Sequence, residues 1–308
     1  MRKKLLLTFI CLLLISLTLI SCSSDPYAQN RKYHMIAVGY DYKDSAPTDL
    51  SKDIDDAVQV AKCFESLSGG NIDIHYILGS DTSEISKYGI TDYSSPTTAN
   101  IQSAINEVME TAMGTDITVF YFSGHGDSAN SSKVSYENGF TQDLFLATQN
   151  SGHTYDEYRI TDLFEDLSTI PGTKLIILDS CYSGGALPPN NISSDSSLYE
   201  DTDIFRVFLN SEINVAYPDI FALTASSYYT TSSSAGYHHS KFTSVLLKAL
   251  GWDDSSLLNP YLGTVLCKSG NEVTLSSLYD WIYNNGGVYH PQRPVASSTS
   301  ADLVLFTF

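Results

Sequence analysis

The stretch Lys174-Leu-Ile-Ile-Leu-Asp-Ser-Cys-Tyr-Ser-Gly-Gly185 decides how the rest of the chain is read. Leu175 to Leu178 form an uninterrupted apolar run, the pattern of a strand buried on both faces in the middle of a parallel sheet. The run stops at Asp179-Ser180-Cys181, and Gly184-Gly185 then allow the backbone to turn sharply. A thiol therefore stands at the carboxyl end of a central strand, where open α/β sheets hold their chemistry. A lone cysteine is more often a buried packing residue. The acid before this one and the glycines after it favour a site.

Working outward, Ile117 to Phe122 is a second apolar strand, and it ends in Ser123-Gly-His-Gly126. Tyr33–Tyr40 and Ile72–Leu78 alternate as strands, and Asp219–Ala225 is another. Helical spacing of Asp53, Ala57, Val60, Ala61 and Phe64 predicts a helix over 51–67, stopped by Gly69-Gly70. A second helix begins after Pro96-Thr97-Thr98 and carries Ile101, Ala104, Ile105, Val108 and Met109. Further helices are expected over 161–167, 241–250 and 275–284. Strands alternating with helices imply βαβ units and a mostly parallel sheet. The polar residues 79–95 are expected to be loop. Lys133–Tyr136 and Leu144–Ala147, flanking Asn138-Gly139, are expected to form a hairpin. Residues 186–217 read as a long exposed loop, and Leu303–Phe306 as a strand at a sheet edge.

The first 22 residues stand apart. Arg2-Lys3-Lys4 precede an apolar run from Leu5 to Ile20, the layout of an export signal; at about 16 residues it is shorter than the roughly 20 that span a bilayer. Leu19-Ile20-Ser21-Cys22 resembles a bacterial lipobox, which implies acylation of Cys22, a tether over 23–32, and a domain at 33–308 held outside the cytoplasm on the cell envelope. Three cysteines remain after the signal: Cys63, Cys181 and Cys267. An odd count leaves at least one thiol unpaired within the chain. The formal net charge is −18, and loss of the three basic signal residues from that −18 leaves −21. Such a charge argues against nucleic acid or anionic lipid as the main partner and favours cationic substrates.

A thiol becomes a useful nucleophile as thiolate, which needs a nearby base. His125, between two glycines at a strand end, is the best candidate. His34 and His75 fall in or beside strands and read as packing residues. His153, His238, His239 and His290 fall in loops and read as solvated. A serine hydrolase built on Ser180 or Ser183 lacks the required G-x-S-x-G turn.

The two strand ends, Tyr121-Phe-Ser-Gly-His-Gly126 and Asp179-Ser-Cys-Tyr-Ser-Gly184, resemble those of the caspase–metacaspase cysteine peptidases (peptidase C14). Asp53-Ile-Asp-Asp-Ala57, Leu223-Thr-Ala-Ser226, Lys241-Phe-Thr243 and His290-Pro-Gln-Arg-Pro294 extend the resemblance in family order across nearly all of 33–308. It implies a caspase-like three-layer α/β sandwich, a mostly parallel six-stranded sheet with helices on both faces. It also implies His125 as base, Cys181 as nucleophile forming a thioacyl intermediate, and an oxyanion hole from the N–H groups of Gly126 and Cys181. Asp56 and Asp179, with Ser226, match the residues that line an acidic S1 pocket, so cleavage is expected after Arg or Lys; Asp53 and Asp55 compete with Asp56 for that role. Arg206, the only Lys or Arg between Cys181 and Ser240, is then the expected site of self-cleavage. No cofactor or bound metal is implied. Calcium activates some metacaspases, and the acidic segment 195–203 leaves that open, although no spacing resembles an EF-hand. A catalytically silent scaffold lipoprotein is the competing reading, and the presence of both His125 and Cys181 argues against it.

Overall fold

The computed structural model describes residues 31–42, 52–79, 81–128, 136–137, 140–141, 144–150, 155–181, 183, 217–225, 239–256, 259–285, 295–296 and 302–308. The chain divides at Asn30/Arg31, and all that follows concerns the unit Arg31–Phe308.

Its centre is a six-stranded sheet built from β1 (Tyr33–Gly39), β2 (Ile72–Leu78), β3 (Ile117–Ser123), β9 (Thr173–Asp179), β10 (Ile220–Thr224) and β14 (Val295–Ala296). The strand order is β14-β10-β9-β3-β1-β2. Five strands run parallel, and β14 closes one edge antiparallel to β10. All seven residues of β1 and of β3 are buried, as expected of strands covered on both faces. Alternation then sorts their side chains. Met35, Ala37, Val119, Tyr121, Leu175 and Ile177 point to one face, and Ile36, Val38, Phe120, Phe122, Ile176 and Leu178 to the other.

Helices cover both faces. α1 (Asp53–Leu67), α5 (Lys241–Ala249) and α6 (Leu275–Asn285) pack on the first set. α3 (Thr98–Thr111) and α4 (Ile160–Ser168) pack on the second. Each stripe recurs at three or four residues, as in Ile101, Ala104, Ile105 and Val108. Thr97 caps α3 by accepting the Asn100 N–H at 3.2 Å. Gly69 and Gly70, at φ +63° and +81°, turn the chain out of α1.

Two expectations are corrected. Residues 79–95 contain a short helix, α2 (Thr82–Ser86), because Asp81 accepts the Ser83 and Glu84 N–H groups. Tyr136–Glu137 (β5) does pair across Asn138-Gly139, but with Phe140–Thr141 (β6). Leu144–Gln149 (β7) instead lies between Gly126–Ser128 (β4) and Tyr155–Arg159 (β8), a strand the sequence pattern did not reveal. The charged residues of β8, four of its five side chains exposed, mask its alternation. As expected, Val304–Thr307 (β15) is a strand at a sheet edge, paired with Glu272–Thr274 (β13) in a two-stranded sheet. Trp252–Asp253 (β11) and Tyr261–Leu262 (β12) form a separate antiparallel pair.

One position shows how closely α1 is seated over the strand ends. A Cβ on Gly39 would lie 2.4 Å from the Asp53 carbonyl oxygen and 2.9 Å from the Ala57 Cβ. Gly39→Ala is therefore expected to destabilise the protein by about 1–3 kcal/mol through overpacking, read as a lower urea midpoint with an unchanged slope.

Candidate active site

β3 and β9 are hydrogen-bonded neighbours in parallel, with Ser123 opposite Asp179. Their carboxyl ends therefore leave the sheet side by side. The Gly124 N–H donates to the Asp179 carbonyl at 3.3 Å. A Cβ on Gly126 would stand 2.4 Å from the Cys181 carbonyl oxygen and 2.7 Å from Ser180 Oγ. Only glycine lets the backbone after His125 lie against the backbone of Cys181. The fold thus brings the Ser123–Gly126 turn and the Asp179–Cys181 turn into contact.

His125 is half-buried; burial pulls its imidazole below the ordinary histidine range, and Asp127 partly offsets this. At neutral pH the ring is unprotonated and able to accept a proton. Cys181 is partly exposed, whereas Cys63 and Cys267 are buried; none of the three forms a disulfide. Burial pushes the Cys63 thiol well up and that of Cys267 to about 11, so neither is a ready thiolate.

The chain around His125 departs from a regular ladder. The Ala147 N–H donates to the His125 carbonyl at 2.9 Å, which makes these two a hydrogen-bonded pair. The next pair, Gly126 and Leu146, is then of the open kind, and the Gly126 N–H points away from β7.

Below these turns lies a cluster of carboxylates. Asp53, Asp56 and Asp179 are 7, 0 and 3% exposed. Ser123 Oγ is 3.0 Å from both Asp53 Oδ1 and Asp56 Oδ2. Asp56 also accepts from the Ser240 N–H and meets His239 Nδ1 at 2.7 Å. Asp179 accepts from the hydroxyls of Ser240 and, at 2.7 Å, Thr243. Two helix N-termini converge here, since Asp53 and Asp56 lie in the first turn of α1 and Ser240 caps α5; their dipoles favour negative charge. Burial, then the charges of Asp56 and Asp179, hold the Asp53 carboxyl well above the carboxylate range. A protonated Asp53 also satisfies the network: it donates to Ser123, whose single proton then goes to Asp56. Asp53 Oδ2 is buried without a hydrogen-bond partner among the described residues.

Among the three competing acids of α1, Asp53 and Asp56 face Ser123, while Asp55 turns aside to Tyr88, and burial raises it to about 6. His239 is a correction. Expected to be solvated, it is 3% exposed and bridges Asp56 and Asp254. Burial alone would lower its pKa, but its hydrogen bonds to Asp254 and Asp56 raise it to about 10. The one available signal was its place before Ser240-x-x-Thr243, a helix start. His34 is buried beside Asp116 as expected, and His75 lies on β2 near Glu107. Tyr42, which contacts His125, was also missed, because it lies past the predicted strand Tyr33–Tyr40 where no periodic pattern marks it. Cys22, Arg206, Ser226, His153, His238, His290, Gly184 and 195–203 lie outside the described residues.

The raised pKa of His239 has a pH signature. The folded state holds this proton more tightly than the unfolded chain, whose histidine titrates near 6.5. The stabilisation is complete below about pH 6.5 and is lost as pH rises through about 10. Melting temperature is expected to fall between pH 7 and 10, and His239→Gln should flatten that slope.

Residues 32–301 match the caspase domain of peptidase C14, and the chain belongs to that family. It is similar to metacaspase-1 of Meyerozyma guilliermondii, 27% identical over 187 residues, covering 58% of this chain and 43% of that one. It is also similar to metacaspase-1A of Aspergillus clavatus, 29% identical over 115 residues, covering 37% and 26%. The chain thus spans less than half the length of these curated relatives. The crystal structure of protein GSU0716 from Geobacter sulfurreducens has a similar fold, with a TM-score of 0.52 at 15% identity, covering 88% of this chain and 95% of that one.

Proposed function

We propose that the protein is a cysteine endopeptidase that cleaves after Arg or Lys. The observation that carries this reading is the contact between the His125 turn and the Cys181 turn at the carboxyl ends of neighbouring strands. In the reaction, His125 takes the Cys181 proton and the sulfur attacks the scissile carbonyl. The N–H groups of Gly126 and Cys181 stabilise the oxyanion; each such donor is worth roughly 3 kcal/mol. Collapse breaks the C–N bond, the amine leaves with the proton from His125, and water then hydrolyses the thioacyl enzyme.

The basic P1 preference is supported by charge. Asp56 and Asp254 flank His239, and Asp179 joins them through Ser240, so the cluster keeps an excess of acid for a guanidinium or ammonium group. Ser226 is assigned to this pocket on the sequence resemblance alone. Processing at Arg206, acylation of Cys22 with membrane tethering, and activation by calcium are parts of this proposal that rest on the sequence alone.

Aminomethylcoumarin peptides with Arg, Lys, Asp or Leu at P1 test it, with and without calcium and with Cys181→Ala as control. Thiol-dependent release from the Arg and Lys peptides is expected. Preference for Asp would overturn the pocket assignment, and no release under either condition would favour a binding module. Intact mass of the purified chain reports on Arg206: an active enzyme left uncut there removes that part.

A further inference from the structure

Tyr42 belongs to neither strand-end motif, yet it touches His125 in two ways and ties it to Ala147. Its hydroxyl accepts the His125 backbone N–H at 2.7 Å and donates to the Ala147 carbonyl at 2.7 Å. Its ring lies 4.4 Å from the imidazole, centroid to centroid, at 54°. We infer that Tyr42 is the positioning residue for His125, a wedge whose hydroxyl and ring fix where the base stands relative to Cys181. The inference rests on the reading of His125 as base.

The hydrogen-bond pattern shows what the wedge does. His125 and Ala147 form one rung of the β4–β7 pairing, with the Ala147 N–H donating to the His125 carbonyl. A regular rung would be completed by the His125 N–H donating to the Ala147 carbonyl. The Tyr42 hydroxyl is inserted into that second bond. The polarity admits one arrangement, because an amide N–H only donates and a carbonyl only accepts. Removing the oxygen leaves those two groups to close on each other, which draws the His125 backbone toward β7.

Two further features serve this placement. Tyr42 has φ +55°, the only positive φ at a non-glycine position among the described residues. A bulky residue there is a strained backbone held by its surroundings, and such strain gathers at functional sites. A Cβ on Gly124 would meet the Tyr42 hydroxyl at 2.9 Å and the Phe122 ring at the same distance, so the glycine before His125 makes room for the wedge. Tyr42 is 4% exposed and packs against Tyr40, whose ring centroid is 3.9 Å away at a tilt of 37°. Burial also keeps its hydroxyl protonated.

Tyr42→Phe in the full chain separates a wedge from mere packing, because it keeps the ring and removes one oxygen. Two readouts apply: kcat and KM on an Arg-aminomethylcoumarin peptide, and the rate of Cys181 alkylation by iodoacetamide across pH, located by peptide mass. The expected result is a kcat lower by about 10- to 100-fold with KM within about twofold, in line with displacement of a catalytic group by a fraction of its reach. The pH at which Cys181 becomes reactive should also rise. Unchanged kcat and an unchanged alkylation profile would overturn the inference. Failure of the wild-type chain to cleave any peptide would count against the peptidase reading, while the alkylation profile still decides the role of Tyr42. Gly124→Ala, which pushes on the same hydroxyl, should reproduce the alkylation shift if the phenylalanine variant does not fold; an unshifted profile in a folded Gly124→Ala chain would equally overturn it.

Discussion

His125→Gln is expected to lower kcat by about 10²- to 10⁴-fold, the range that general acid–base catalysis contributes, and Cys181→Ala to remove thiol-dependent turnover altogether. The two losses should not add. Without the sulfur there is nothing for the base to activate, so the double variant should match Cys181→Ala, as for catalytic groups that act as a unit. Stability should change little in either variant. Cys181 is partly exposed and His125 only half-buried at a turn, and the two hydrophobic layers lie between the sheet and its helices. Thermal unfolding alongside steady-state kinetics checks both statements together. A large drop in melting temperature for His125→Gln would show that the turn is structural as much as chemical.

The second large effect is expected at Asp179. Asp179→Asn should lower kcat/KM on Arg and Lys peptides by about 10²-fold or more while leaving a neutral-P1 peptide within a few-fold. At an effective dielectric near 20, a carboxylate about 4 Å from a P1 cation is worth about 4 kcal/mol before screening, and about two-thirds of that, roughly 2.7 kcal/mol, already gives the factor. The same substitution disturbs hydrogen bonds from Ser240 and Thr243, and Tyr121 Oη stands 2.6 Å from Thr243 Oγ1. A stability loss of about 1–3 kcal/mol is therefore expected as well. Competition between Arg and Leu peptides in one reaction separates the two effects, since misfolding lowers both rates equally. An unchanged ratio would place specificity elsewhere.

The central strands were legible because burial on both faces leaves near-continuous apolar runs, as in Ile117–Phe122 and Leu175–Leu178. Both strand-end turns followed from glycine and from the residue types that nucleophilic chemistry needs. What stayed hidden depends on contacts between distant segments. His239 is polar and follows an unpatterned stretch, and the helix start after it does not show that Asp56, 183 positions earlier, draws it into the interior. Tyr42 acts through a hydroxyl and a strained φ, neither of which leaves a periodic trace. Leu144–Ala147 was assigned to the wrong partner because a short turn signal outweighed a pairing with the strand that begins at Gly126. Asp53, Asp55 and Asp56 could not be ranked by spacing alone; packing over Gly39 and the pull of Tyr88 separate them.

The central claim is that His125 and Cys181 form one thiol site that takes a basic residue. Intact-protein and peptide mass after treatment with an Arg-chloromethyl ketone peptide tests this directly. The expected result is one adduct per chain, on Cys181, formed much more slowly in His125→Gln and far less with an Asp-based analogue. Labelling at Cys63 or Cys267, or equal labelling of Cys181 by both reagents with and without His125, would contradict the account.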